Sequence, residues 1–168
     1  MPRRDDATFG DYVSSRREHL RRTAYLLCGD WHQAEDLVQM TLTKLYVAWP
    51  RVAMDGREDA YARRILVNTH IDDRRRPWRQ ESTGLAAVEP AASPGPAYEE
   101  RDALRTALLA LPESQRRIVV LRHWWGVSVE EAAADLGVST GTIKSQTSRA
   151  LARLNQLLSS DAATKGSA

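Results

Sequence analysis

GVSTGTIKSQTSRAL, residues 137–151, is the stretch on which the fold of this chain turns. From Ser139 to Leu154 there is no acidic residue, and the small residues Gly141, Ser145 and Ser148 lie among Lys144, Arg149 and Arg153. Place Ile143 at the origin of a helical wheel and step by about 100° per residue; Thr147, Ala150, Leu151 and Leu154 then fall within about 80° of it. They form the expected buried stripe. Gly141, Ser145, Ser148 and Ala152 fall on the far side, between about 140° and about 200°, with Lys144 at about 100° and Arg149 at about 240°. Such a face can approach a surface closely while its flanking cations meet phosphates. A DNA major groove admits one helix of this kind, and Ser139, Thr140, Thr142, Ser145 and Ser148 offer hydroxyls to base edges or phosphates. Arg153 extends the cationic edge by one more turn. Taken alone, the same wheel equally describes a solvated face that is merely short of bulk.

The residues just upstream favour the first reading. Ser128-Val129-Glu130-Glu131 is a capping box, in which Ser128 and Glu131 satisfy each other's backbone donors. The short helix it opens stops at Leu136-Gly137, and Ser139 can cap the next one. A short helix, a tight turn containing Gly and a longer helix make a helix-turn-helix. Further upstream, a helix is expected near Tyr98–Leu111. Pro112 suits the first turn of another, which runs through Arg116, Ile118 and Leu121 to about Trp125, where Gly126 closes it.

The N-terminal part also reads as helices. The first covers Phe9 to Cys28 and stops at Gly29. The second follows Asp30, with Gln33 at the capping-box position. Ala34, Leu37, Val38, Leu42, Leu45, Tyr46 and Trp49 share one face of it, and Pro50 is expected to end it. A loop over 51–57 follows, and a third helix runs to about Arg76. No stretch alternates with period two, so the class is all-α. Residues 77–97, PWRQESTGLAAVEPAASPGPA, hold four Pro and two Gly without a sustained period and read as a flexible linker. Two small helical domains are therefore expected, at 1–78 and 98–158, joined by a linker at 79–97 and followed by a disordered tail at 159–168.

Composition narrows the function classes. The chain has 168 residues and a formal net charge of +2, which by itself does not argue for nucleic acid. Its single cysteine, Cys28, excludes an internal disulfide framework and argues against a thiolate metal cluster. There is no signal-peptide run and no apolar stretch of membrane-spanning length, so a cytoplasmic protein without membrane insertion is expected. His19, His32, His70 and His123 are scattered without ligand spacing, and no Gly-rich phosphate loop is present. No catalytic residue, metal site or cofactor is expected, and the chain does not read as an enzyme.

The third helix carries Arg63, Arg64, Asn68, Asp72 and the run Arg74-Arg75-Arg76, with Trp78 close behind. Cations interleaved with Asn and followed by an aromatic ring suit single-stranded or melting DNA. The run of Arg alone is equally the cationic end that any helix favours.

With these motifs in place, the chain resembles a bacterial RNA polymerase sigma factor of the extracytoplasmic-function (ECF) type. Ala34-Glu35-Asp36-Leu37-Val38-Gln39, then Trp49, then Asn68-Thr69-His70-Ile71-Asp72 and the Arg run are similar to sigma region two. Leu111-Pro112 through Arg116-Arg117, then 127–136 and 139–154, are similar to region four. The resemblance spans roughly residues 8–158. It implies a factor that binds core RNA polymerase and directs promoter recognition, opening and initiation. Asp36, Leu37 and Gln39 would contact the clamp of the largest polymerase subunit. Arg63, Arg64, Asn68, Asp72, Arg75 and Arg76 would engage the minus-ten element, and Asp55-Gly56 would help hold a flipped base. Ser139, Thr140, Gly141, Thr142, Lys144, Ser145, Ser148, Arg149 and Arg153 would read the minus-thirty-five element as duplex. The expected partners are core polymerase and promoter DNA, with the free chain a monomer; whether an anti-sigma factor also binds it is left open by the sequence. Met40 and Gln146 depart from the family pattern, standing where relatives often carry an acid and a base. The rival reading is an autonomous helix-turn-helix regulator, which normally dimerises across two half-sites. No heptad seam supports it, and it leaves the basic third helix unexplained.

Overall fold

Caps and glycines cut the chain where the sequence places them. Asp30 accepts hydrogen bonds from the backbone N–H of His32 (2.8 Å) and Gln33 (3.0 Å), opening the second helix. The chain, described by a computed structural model over residues 4–76 and 96–166, divides into two compact units, Met1–Ala87 and Val88–Ala168. The first holds α1 (Arg4–Cys28), α2 (Trp31–Asp55) and α3 (Glu58–Arg74). The second holds α4 (Pro96–Leu109), α5 (Glu113–Val119), α6 (Val129–Leu136) and α7 (Thr140–Lys165). The expected linker lies almost entirely outside the described residues. No described residue forms a strand.

In the first unit, Leu20 and Leu27 of α1, Val38, Leu45 and Val52 of α2, and Leu66 and Val67 of α3 are fully buried. Each such side chain removed from water contributes on the order of 1.5–3 kcal/mol. The start of α1 is fastened by an aromatic cluster. Phe9 packs edge-on against Tyr46 (5.1 Å) and Trp49 (5.2 Å), and Trp49 Nε1 donates to Thr8 Oγ1 at 3.0 Å. Asp59 of α3 accepts from both Tyr12 Oη and Arg16 Nε, each at 2.9 Å. Burial raises the Tyr12 pKa far above its ordinary value and the Asp59 carboxylate adds to the shift, so the phenol stays protonated and donates.

Pro50 does not end α2, contrary to the sequence reading; it lies inside the helix, which continues to Asp55. Proline costs a helix one hydrogen bond and some bending. Here burial of Trp49 (3% exposed) and Val52 (0%) on the core face outweighs that cost. The stop is Gly56 at φ 64°, a conformation that a side chain disfavours. The expected loop over 51–57 thus shrinks to a corner at Gly56-Arg57.

In the second unit, α5 widens into a π-helical turn over Val120–Trp125. Val127 N donates to Leu121 O at 3.1 Å and Arg122 donates to Val127 O, which close the turn. Its core gathers Leu108, Leu111, Ile118, Leu121, Val127, Ala132, Ile143, Ala150 and Leu154. Arg116 is buried as well. It donates to the carbonyls of Leu108 (3.1 Å), Leu109 (3.2 Å) and Leu111 (3.3 Å), satisfying the open end of α4. The expected disordered tail at 159–168 is corrected in large part: α7 runs on to Lys165. Local bonds carry it, with Ser160 Oγ on Gln156 O (2.9 Å), Thr164 Oγ1 on Ser160 O (2.9 Å) and an Asp161–Lys165 pair at 3.6 Å.

Candidate nucleic-acid interface

The turn between α6 and α7 is over-determined. Ser128 Oγ accepts from Glu131 N and Glu131 Oε2 accepts from Ser128 N, both at 3.1 Å, which completes the capping box. Gly137 ends α6 at φ 65°, and Val138 N returns to Ala133 O at 3.1 Å. Ser139 Oγ then caps α7, accepting from Thr142 N at 3.1 Å and lying 2.9 Å from Thr142 Oγ1. Two helix ends with fixed caps on either side of a short turn hold α7 at a set angle to α6.

Ile143, Ala150 and Leu154 of α7 are buried and Thr147 is half-buried. Leu151 departs from the expected stripe, being 39% exposed. It lies at the margin, about 80° from Ile143, where the core no longer reaches. On the opposite side every residue of the expected reading face is exposed: Thr140, Gly141, Thr142, Lys144, Ser145, Ser148, Arg149 and Arg153. Ser139, also exposed, is engaged as a cap. A Cβ added at Gly141 would meet only Ser139 Oγ, at an ordinary 3.8 Å, so the fold itself does not require glycine there. Three other cations of this unit are paired, Arg117 with Glu113 (3.1 Å), Arg105 with Asp102 (2.9 Å) and Lys165 with Asp161 (3.6 Å). Lys144, Arg149 and Arg153 have no carboxylate partner among the described residues.

The first unit presents a second strip. Arg64, Asn68, Asp72, Arg75 and Arg76 are exposed, at spacings that place them along one side of α3 and its C-terminal end. Arg75 and Arg76 have no carboxylate partner among the described residues. Arg63 is corrected: it is only 6% exposed. It shares the i, i+3, i+4, i+7 face with buried Leu66, Val67 and His70 and is held inside the protein. Asp55 and Gly56 are exposed at the α2–α3 corner. Trp78 lies outside the described residues.

On α2, Asp36 and Gln39 are exposed, but Leu37 is 6% exposed and belongs to the core. This overturns its reading as a surface contact. Leu37 sits about 100° round the helix from Asp36, on the side turned to α1 and α3. Sequence reasoning missed what continues the Asp36 side. Asp36, Met40, Thr43, Val47, Pro50 and Met54 follow one another at alternating steps of four and three. Val47 is 78% exposed and Met54 86% exposed. An apolar stripe opposite a filled core face is a signal for a partner. It was legible in the spacing, had the helix not been ended at Pro50.

Among the described residues no cluster of His, Cys, Asp and Glu could hold a metal ion, and no helix is long and apolar enough to cross a membrane.

Comparison with known proteins accounts for both units. Residues 12–80 match the family model for sigma-70 region 2, and residues 101–154 match that for sigma-70, region 4. The chain is 41% identical over 157 residues to an RNA polymerase sigma-E factor of Streptomyces avermitilis, covering 90% of this chain and 86% of that one. It is 34% identical over 145 residues to the ECF RNA polymerase sigma factor SigM of Mycobacterium tuberculosis, covering 85% and 74%. Among solved structures it resembles the sigma factor RpoE of Bartonella quintana, crystallised with the anti-sigma factor NepR. That match has a TM-score of 0.74 and 33% identity, and covers 90% of this chain and 97% of that one. It also resembles CnrH in complex with the cytosolic domain of CnrY, with a TM-score of 0.67, 27% identity, and coverage of 91% and 88%.

Proposed function

The chain belongs to the ECF-type RNA polymerase sigma factors and directs the polymerase in promoter recognition and initiation; we propose that α7 reads the minus-thirty-five duplex, that α3 holds the opened minus-ten region, and that α2 docks on core polymerase. The observation that carries this division is the acid-free face of α7, where Lys144, Arg149 and Arg153, without a carboxylate partner among the described residues, surround residues no bulkier than Ser or Thr.

The physical steps follow from the side chains. The small face lets the helix backbone approach base edges, and Thr140, Thr142, Ser145 and Ser148 supply short hydroxyls at that distance. The flanking cations neutralise phosphates and release counterions. On α3, Arg64, Asn68, Arg75 and Arg76 track an opened strand. Asp72 repels phosphate, so its natural partner is a donor such as the exocyclic amine of cytosine or adenine. Asp55-Gly56, at an exposed corner where backbone is bare, would receive a base turned out of the stack.

On α2, exposed Asp36 and Gln39 set register with the polymerase clamp while Met40, Val47, Pro50 and Met54 bury apolar area against it. The sigma factor in the Bartonella quintana structure is bound to an anti-sigma factor, and CnrH is bound to the cytosolic domain of CnrY. An amphipathic anti-sigma helix laid on the same stripe would compete with polymerase. The free chain is proposed to be a monomer in the cytoplasm, where core polymerase would take it up.

Transcription by reconstituted polymerase tests the assignment of α7. Ser145→Trp places a bulky ring on an exposed position away from the core, so the circular dichroism spectrum and melting temperature should hold while initiation from a minus-thirty-five-dependent promoter collapses. A folded variant that transcribes normally would remove α7 from the groove.

A further inference from the structure

Gln146 behaves differently from the other polar residues early in α7. It is half-buried, and its Oε1 accepts a 3.1 Å hydrogen bond from Gln115 Nε2 of α5. On the wheel it lies at about 300°, between the buried stripe and Arg149 at about 240°. Lys144, at about 100°, is on the other flank. A helix seated in a major groove has a sugar–phosphate wall on each side. Lys144 then serves one wall, and Arg149 and Gln146 serve the other.

A glutamine amide carries one acceptor oxygen and two N–H donors. Oε1 is engaged by Gln115, and the two N–H donors of Gln146 form its unengaged side. Its Nε2 has no partner among the described residues and is not sealed from solvent. Glutamine pairs with an adenine edge by using its oxygen and nitrogen together. At about 300° Gln146 stands about 120° from the centre of the small-residue face, beside a groove wall and away from base edges, and the acceptor that a wall offers its N–H donors is a phosphate oxygen.

We propose that Gln115 is a positioning residue which pins Gln146 as a neutral N–H donor to a phosphate oxygen on the Arg149 side of the groove, so that α7 is drawn toward that wall. The proposal rests on the reading of α7 as the duplex-reading helix. It carries a signature that a cationic contact lacks. A neutral donor adds a charge-assisted hydrogen bond but neutralises no phosphate, so its loss lowers affinity without changing the salt dependence.

The test is equilibrium binding of polymerase holoenzyme, assembled with each full-length variant, to a minus-thirty-five-dependent promoter over a range of salt. Gln146→Ala should weaken binding by roughly tenfold at every salt concentration, with the log–log slope unchanged. Gln146→Glu keeps an acceptor for Gln115 Nε2, and so should melt like the parent, yet it faces the phosphate with an anion and should bind more weakly than Gln146→Ala. Gln115→Ala should lose part of the same affinity, and the double variant should bind no worse than Gln146→Ala alone, because both disrupt one contact. Fully additive losses, a flattened slope for Gln146→Ala, or parental binding by Gln146→Glu would each overturn the proposal. Ser145→Trp, measured in parallel, separates the two levels. If it binds normally, the reading of α7 itself has failed; if it fails to bind while both Gln146 variants match the parent, only the tether has failed.

Discussion

Removing the three unpaired cations of α7 should change the salt dependence of promoter binding by a calculable amount. Lys144, Arg149 and Arg153 are exposed, and no described carboxylate competes for them. Each phosphate neutralised contributes about −0.9 to the slope of log affinity against log salt. Over a fourfold rise in salt, from about 50 to about 200 mM, one such contact is worth roughly 3.5-fold and three together roughly 40-fold. The triple alanine variant in holoenzyme should therefore show a slope shallower by about 2.7, and each single variant by about 0.9. Arg105→Ala is the matched control. Arg105 is a cation of the same unit, but Asp102 already holds it at 2.9 Å. Its removal should leave the slope where it was. Fluorescence anisotropy of a labelled minus-thirty-five-dependent promoter across the salt series reads the difference. A triple variant with the parental slope, or an Arg105→Ala slope that flattens as much as Arg149→Ala, would refute the argument that unpaired charge on this face meets phosphate.

Arg116→Ala strips the buried donor from the carbonyls of Leu108, Leu109 and Leu111 and should cost the second unit about 2–4 kcal/mol, read as a lowered urea midpoint for that unit in the full chain. Val47→Asp, at a position 78% exposed, should shift the melting temperature little yet weaken assembly with core polymerase by roughly tenfold or more, measured by co-elution. Parental assembly would exclude the apolar stripe from the interface. Arg75→Glu with Arg76→Glu should spare assembly but reduce promoter opening, seen as lost reactivity of the non-template strand toward a single-strand reagent. Unchanged opening would return these residues to the status of a solvated helix end.

The fold was most legible where termini are chemically marked. Ser128-Val129-Glu130-Glu131, Gly137 and Ser139 each specify a backbone state by themselves, and each is found in that state. Legibility failed where a local preference met a tertiary one. Pro50 is a strong stop in isolation, but the apolar face of α2 continues to Val52, and its burial carries the helix through. The tail beyond Ser159 looked like a frayed end because its residues are polar, whereas its stabilising bonds are all within one helix turn. Buried Arg63 and Arg116 were hidden for a different reason. Arginine type suggests a surface, and only the three-dimensional position of helix-end carbonyls reveals that Arg116 is an internal cap.

The candidate sites show why net charge misleads in a protein of this kind. The chain totals only +2, a value that gives no reason to look for DNA. Much of its cationic surface is cancelled in place. Arg16 is paired with Asp59, Arg21 with Glu35, Arg22 with Glu18 and Arg117 with Glu113. Pairs at or near the surface add little stability, but they remove positive potential from the faces on which they sit. Among the described residues, exposed cations without a carboxylate partner include Lys144, Arg149 and Arg153 on α7 and the adjacent Arg75 and Arg76 at the end of α3. Field strength near a surface follows this local imbalance, because at physiological salt charges more than about 8 Å away are largely screened. Few unpaired cations also mean weak non-specific affinity, since each contributes only its own counterion release. On the proposed division of roles, firm hold of a promoter requires both cationic strips to engage together, and the polymerase would be the body that holds them.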